Sequence, residues 1–208
     1  MSMRERCFRG AKIAALALVA LAAACGGEQA GAASGAAHVP PPADTLPGRE
    51  AALDRFRAGL GQVDSLAPVA THRDSLVLRF VRAVEAADTA ALAELLLTPA
   101  EFAWLYYPSS PQGFPPYDVA ADLMWDLLSR QTDRGALRLL RLSGGRPLGY
   151  AGYDCPAEPE IEGANRIWGP CRIRYRTVSG NTVRARLTGP ILERDGRFKF
   201  VSLTNDID

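Results

Sequence analysis

Between residues 171 and 203 apolar and basic side chains alternate along the chain. Cys171, Ile173, Tyr175, Val183, Ala185 and Leu187 share one parity. Arg172, Arg174, Arg176, Arg184 and Arg186 share the other. A period of two is that of a strand with one face covered and one face wet. Two turn signals, Ser179-Gly180-Asn181 and Asp195-Gly196, divide the stretch into three antiparallel strands. Pairing Val178 with Thr182 sets Arg176 opposite Arg184 and Arg174 opposite Arg186. A slip of one residue would mix arginine with apolar side chains on both faces, so this register is preferred over it. The last turn returns Phe198 and Phe200 to the apolar face and Lys199 to the arginine face.

Upstream the period changes to that of helices. Leu53, Phe56, Leu60 and Val63 predict a helix within residues 50–66, weakened by Gly59 and Gly61. Leu76, Val77, Phe80, Val81 and Val84 form one stripe over residues 71–87. Asp88 caps a short helix over 90–97. Thr98-Pro99-Ala100-Glu101 combines a capping box with proline at the first helical position. The helix it opens carries Phe102, Trp104, Tyr106 and Tyr107 and ends before Pro108. After a proline-rich loop, residues 117–130 predict a helix with Val119, Leu123, Met124, Leu127 and Leu128 inward. Asp118, Asp122, Asp126 and Arg130 lie along its outer side. Residues 136–142 and 148–153 read as strands around Gly144-Gly145, and residues 156–170 as a long loop. The expected class is α+β: N-terminal helices on the apolar face of a curved antiparallel sheet.

The first 25 residues carry an address. Arg4, Arg6, Arg9 and Lys12 precede an apolar run of 12 residues, 13–24. That run is too short to span a bilayer, which needs about 20 residues, and reads as a secretory signal over 1–24. Leu21-Ala22-Ala23-Ala24-Cys25 resembles a bacterial lipobox, with the leucine one position further from the cysteine than is usual. The resemblance implies lipidation of Cys25, and Gly26 after it resembles the pattern of outer-membrane sorting. A lipid anchor facing the periplasm is the expectation. Residues 25–48 are rich in alanine, glycine and proline and read as a tether. One domain follows over 49–208.

Charge and cysteine usage narrow the chemistry. The chain has 24 basic and 23 acidic residues. Four of the basic groups and Glu5 lie in the signal, which leaves 20 and 22, a net charge of −2. Nucleic acid is not an expected partner. With Cys7 in the signal and Cys25 as anchor, Cys155 and Cys171 remain as a pair in an oxidising compartment, and a disulfide is expected. There is no CxxC, and His72 is the only histidine beyond the tether. No catalytic residue, metal site or cofactor is read from the sequence.

The order helix, short helix, helix, long helix and then a twisted meander resembles the nuclear transport factor 2 superfamily, including its SnoaL-like members, over residues 75–206. The local pattern that carries it is Arg79-Phe80-Val81-Arg82-Ala83-Val84-Glu85-Ala86-Ala87-Asp88-Thr89-Ala90-Ala91-Leu92. The resemblance implies a cone with a pocket between helices and sheet. Trp104, Tyr106, Tyr107, Tyr153, Asp154 and Tyr175 are then candidates to line it, against the alternative that these aromatics are core. Arg172, Arg174, Arg176, Arg184 and Arg186 form either a solvated face or a docking surface for an envelope protein or an anionic polymer or lipid. Two functions follow: a non-catalytic binding module, or a small-molecule enzyme using acid–base chemistry in the cone.

Overall fold

The computed structural model of the protein describes residues 48–207. The signal, Cys25 and the tether up to residue 47 lie outside them. The fold is α+β, with helices first and strands after. Helix α1 (Arg49–Arg57) stops before Gly59. Helix α2 (Arg73–Glu85) buries Leu76, Val77, Phe80, Val81 and Val84, the stripe expected. Asp88 Oδ1 accepts the N–H of Ala91 at 2.9 Å and starts α3 (Thr89–Glu94). The capping box forms at α4 (Pro99–Glu101): Thr98 Oγ1 accepts from Glu101 N, and Glu101 Oε2 accepts from Thr98 N. A π-helical turn, Phe102–Tyr106, and a 3-10 turn, Tyr107–Ser109, continue it.

The long helix, α5 (Ala121–Ser143), corrects two expectations: Leu123 and Leu127, expected inward, are exposed, the inner face running through Ala121, Met124, Trp125 and Leu128 instead, and the helix extends further than expected. Residues 136–142 are helical, not a strand. Leucine, alanine and arginine are strong helix formers. Ala136, Leu139 and Leu140 also continue the inner face of Leu128 and Thr132 at helical spacing. Gly135 resembles a break but is a contact. A Cβ there would overlap the carbonyl oxygen of Leu203, so the glycine lets the C-terminal segment lie against the helix. Asn205 Nδ2 donates to Gly135 O at 2.9 Å across the same junction.

Seven strands follow: β1 (Tyr150–Asp154), β2 (Glu160–Glu162), β3 (Asn165–Trp168), β4 (Arg172–Arg176), β5 (Thr182–Ala185), β6 (Ile191–Arg194) and β7 (Arg197–Phe200). The expected long loop 156–170 therefore holds the β2–β3 hairpin, whose acidic first strand has little apolar content to betray it. Asn165 is fully buried. It donates to Leu105 O at 2.8 Å and to Ser109 Oγ at 3.1 Å, joining the hairpin to the aromatic helix.

Residues 171–203 do not form one continuous sheet. The strands sort into a three-stranded sheet, β1-β4-β5, and a four-stranded sheet, β2-β3-β6-β7. Gly169-Pro170 separates β3 from β4, and Gly189-Pro190 separates β5 from β6. The two dipeptides face each other: a Cβ at Gly169 would stand 3.1 Å from Pro190 Cα. Proline has no N–H to give the ladder, so two prolines side by side crease the sheet.

The register of the arginine hairpin also differs. Arg174 stands opposite Arg184, Tyr175 opposite Val183 and Arg176 opposite Thr182. The shift from the expected pairing is two residues, so every side chain keeps its face. Its cause is the turn. Thr177 N donates to Asn181 O at 2.9 Å, which leaves the three-residue loop Val178-Ser179-Gly180. Gly180, at φ +84°, takes the left-handed position such a loop requires. Asp195-Gly196 is the two-residue turn expected, with both φ values positive.

Two apolar cores result. One joins α2, the inner face of α5, the three-stranded sheet and Ile191, Phe198 and Phe200. The other joins Leu53, Phe102, Tyr107 and the first half of α5 to Ile167, Leu192 and Val201. Strands β6 and β7 are thus covered on both faces, whereas Glu160 and Ile161 of β2 remain exposed. Lys199 is accordingly buried at 2% exposure, not on the arginine face. Its Nζ donates to Glu101 Oε2 at 2.8 Å and to Leu96 O at 2.9 Å. Cys155 and Cys171 are disulfide bonded, as expected, and close the loop that carries the β2–β3 hairpin. Residues Asp44–Asp208 form one compact unit. Both cores and the disulfide lie within it, so it holds what it needs to fold alone.

Candidate functional site

The three-stranded sheet places the arginine face. Arg172, Arg176 and Arg184 are exposed, and Arg174 and Arg186 are half-buried. Arginine directly opposite arginine, as at Arg174 and Arg184, costs free energy unless an anion intervenes. Asp154, the last residue of β1, supplies one. Its Oδ2 accepts from Arg184 Nη2 at 2.6 Å and lies 3.3 Å from Arg174 Nε. The hydrogen bond from Arg184 is the main reason its carboxyl is held below the usual range, with Arg174 adding to it and burial opposing. Arg186 lies 3.6 Å from Asp206. Glu160 and Glu162, the nearest preceding acids in the chain after Asp154 and Glu158, belong to the other sheet. Five arginines therefore share two carboxylates among the described residues. Arg172 and Arg176 make no ion pair there.

The opposite face of β4 and β5 lines a groove of about 480 Å³. Tyr175, Val183, Ala185 and Leu187 form its sheet side, and Leu148 and Ile207 lie against them. Leu142, Ser143, Arg146 and Pro147 from the end of α5 and the following turn form one wall, and Arg176, Thr177 and Val178 the rim of the hairpin. The small side chains of Val183 and Ala185 leave the space open. Arg146 and Arg176 are its charged groups, and its described lining residues include no carboxylate and no histidine.

A groove of similar size, about 450 Å³, lies at the start of α1. Arg49 beside it is already engaged: its guanidinium stands 4.1 Å from the Phe114 ring centroid and donates to Pro108 O at 3.0 Å. Arg49 also pairs with Glu50 at 2.7 Å, and Asp118 and Asp122 line the groove, so its lining carries both signs of charge.

The aromatic residues proposed for a common pocket are divided between the cores. Tyr106 and Tyr107 are buried in the second core with Phe102 and Trp125. Burial first, then the Glu162 carboxylate, pushes the Tyr106 phenol up to about 12. Tyr107 Oη donates to Val119 O at 2.8 Å. Trp104 packs beside that core with the Arg57 guanidinium 4.0 Å from its ring. Tyr153 lies by the first core, and its Oη donates to Asp74 Oδ1 at 2.6 Å. Burial and that carboxylate raise its phenol strongly, so it remains a protonated donor. Tyr175 alone of the five lines the 480 Å³ groove. Arg146, Val183, Ala185 and Leu187 are among the lining residues that the sequence did not mark as pocket residues. The alternation of apolar side chains at 183, 185 and 187 is a signal for three of them, and Arg146 has none.

Burial of Glu101 alone would raise its carboxyl. The N–H of Ala67, the Lys199 ammonium and the N–H of Thr98 outweigh that and hold it below its ordinary value of 4.5. This pair is a structural anchor, with both side chains almost wholly buried. Comparison with protein-family models, with curated proteins and with solved structures finds no match to this chain.

Proposed function

We propose that the chain is a lipoprotein of the cell envelope, anchored through Cys25 and facing the periplasm, whose α+β domain is a non-catalytic binding module for a small amphiphilic anion. The observation that carries the ligand reading is the groove of about 480 Å³, with apolar side chains on its sheet side, Arg146 in its wall, Arg176 at its rim and no acid among its described lining residues. That volume falls in the range of small-molecule sites, where apolar walls supply affinity and a few polar groups orient the ligand. An acyl or ring system would lie over Val183, Ala185 and Leu187. Its carboxylate or phosphate would meet the planar forks of Arg146 and Arg176. The groove between a helix and a curved sheet also suits the cone of the nuclear transport factor 2 resemblance. The charged n-region, short apolar run and lipobox-like ending support the anchor. An acid–base enzyme of the SnoaL-like kind would need an ionisable base in this groove, and the lining favours binding instead.

The test uses dansyl-labelled undecanoate and residues 44–208. The probe should brighten and shift to the blue on binding, with saturation at one equivalent. Ala185→Phe, which fills the groove, should abolish the signal. Arg146→Glu with Arg176→Glu should weaken binding by about tenfold or more, the effect of losing charged hydrogen bonds. Unchanged titration of Ala185→Phe would place the ligand elsewhere and end this reading.

A further inference from the structure

At one end of the groove the fold leaves apolar side chains in water beside uncompensated cations. Val178, at the tip of the β4–β5 hairpin, is fully exposed, and Leu142, near the end of α5, is 38% exposed. Arg146 and Arg176, both exposed, line the same groove as these two. The pattern continues along α5. Arg138 stands one turn before Leu142, and Leu137, 53% exposed, stands one turn before Arg141. Among the described residues Arg141, Arg146 and Arg176 make no ion pair.

We propose that this corner docks on an anionic bilayer surface, with Val178 and Leu142 entering the headgroup layer and Arg141, Arg146 and Arg176 meeting lipid phosphates. Charge complementarity selects the occupant: three cations without ion pairs among the described residues, two of which, Arg146 and Arg176, border a groove with no carboxylate among its described lining residues. The apolar side chains are separated by arginines. A protein interface instead centres on a continuous apolar patch from which charge is depleted. Isolated apolar prongs set among guanidiniums suit an interfacial layer, where each prong reaches hydrocarbon while the charges stay at the phosphates. The proposal stands on the exposed corner and holds whether or not the groove takes a ligand.

Residues 44–208, which lack the anchor cysteine, provide the test by co-sedimentation with vesicles. Binding should occur to vesicles of phosphatidylcholine with phosphatidylglycerol, fail with phosphatidylcholine alone, and be lost at high salt. Arg146→Glu with Arg176→Glu should reduce it about tenfold or more, since each basic residue near an anionic surface counts separately. Val178→Asp should reduce it with an unchanged thermal melt, because the side chain touches nothing in the fold. Equal binding to both vesicle types, no binding to either, or indifference to all three substitutions would overturn the proposal. So would a dimer formed without vesicles and broken by Val178→Asp, which would make the corner a contact between copies. Dansyl-undecanoate binding measured without vesicles separates this outcome from failure of the groove reading.

Discussion

The two halves of the creased sheet use charge in opposite ways. In the four-stranded half β6 and β7 are covered on both faces, and their lysine is locked between Glu101 and the Leu96 carbonyl. In the three-stranded half one face lines a groove and the other carries five arginines for two carboxylates. Buried charge in the first half has no surplus and serves only to hold elements together. Surplus charge in the second is free to meet something from outside. The crease at the paired Gly-Pro dipeptides is what permits the difference, because it turns one pair of long strands from an enclosed setting into an open one.

The largest effect should come from breaking the enclosed half. Glu101→Ala leaves the Lys199 ammonium buried without a partner and should cost about 3–5 kcal/mol, read from urea midpoints. Because the folded carboxyl titrates below its ordinary 4.5, the unfolded chain takes up the proton first. The contribution is complete above that pH and is lost as pH falls through the lower folded value. Urea midpoints of the native chain should drop on acidification through that window, and Glu101→Gln should flatten the decline. An equal decline in both would assign the acid sensitivity to other carboxylates.

Removal of the disulfide by Cys155→Ala with Cys171→Ala should cost roughly 3 kcal/mol from loop entropy. Thermal melts with and without reductant should agree with the double substitution. Gly135→Ala should cost about 1–3 kcal/mol or more, since its methyl must displace the Leu203 backbone. A neutral result would show that the C-terminal segment is not seated on α5. Arg184→Ala, in the open half, should leave the urea midpoint nearly unchanged despite its 2.6 Å contact with Asp154, because the pair is solvent-exposed. A loss as large as that of Glu101→Ala would erase the contrast between the halves.

Much of this contrast could be read from the residues themselves. Parity alone put Arg172, Arg174, Arg176, Arg184 and Arg186 on one face, and a register shift of two left that intact. The helical stripe of α2 and both caps were equally legible, because each is a local pattern with a local cause. What escaped were consequences of tertiary contact. Gly135 looks like a helix breaker until the Leu203 backbone is seen against it. Lys199 alternates with Phe198 and Phe200 and so reads as part of the arginine face, yet the groups that bury it lie about a hundred positions earlier in the chain. The β2–β3 hairpin hid because Glu160 and Glu162 mask its alternation. The groove was half visible: Tyr175 was identified, but Trp104, Tyr106 and Tyr107 are aromatic for the sake of the second core.

The central claim is that the open half carries the binding site. Amide chemical-shift mapping of residues 44–208 during titration with decanoate tests it most directly. Shifts confined to residues 142–148, 175–178, 183–187 and 207, with none at 99–106 or 199, are the predicted result. Shifts centred on the aromatic core or on the α1 groove, or none at saturating decanoate, would contradict it.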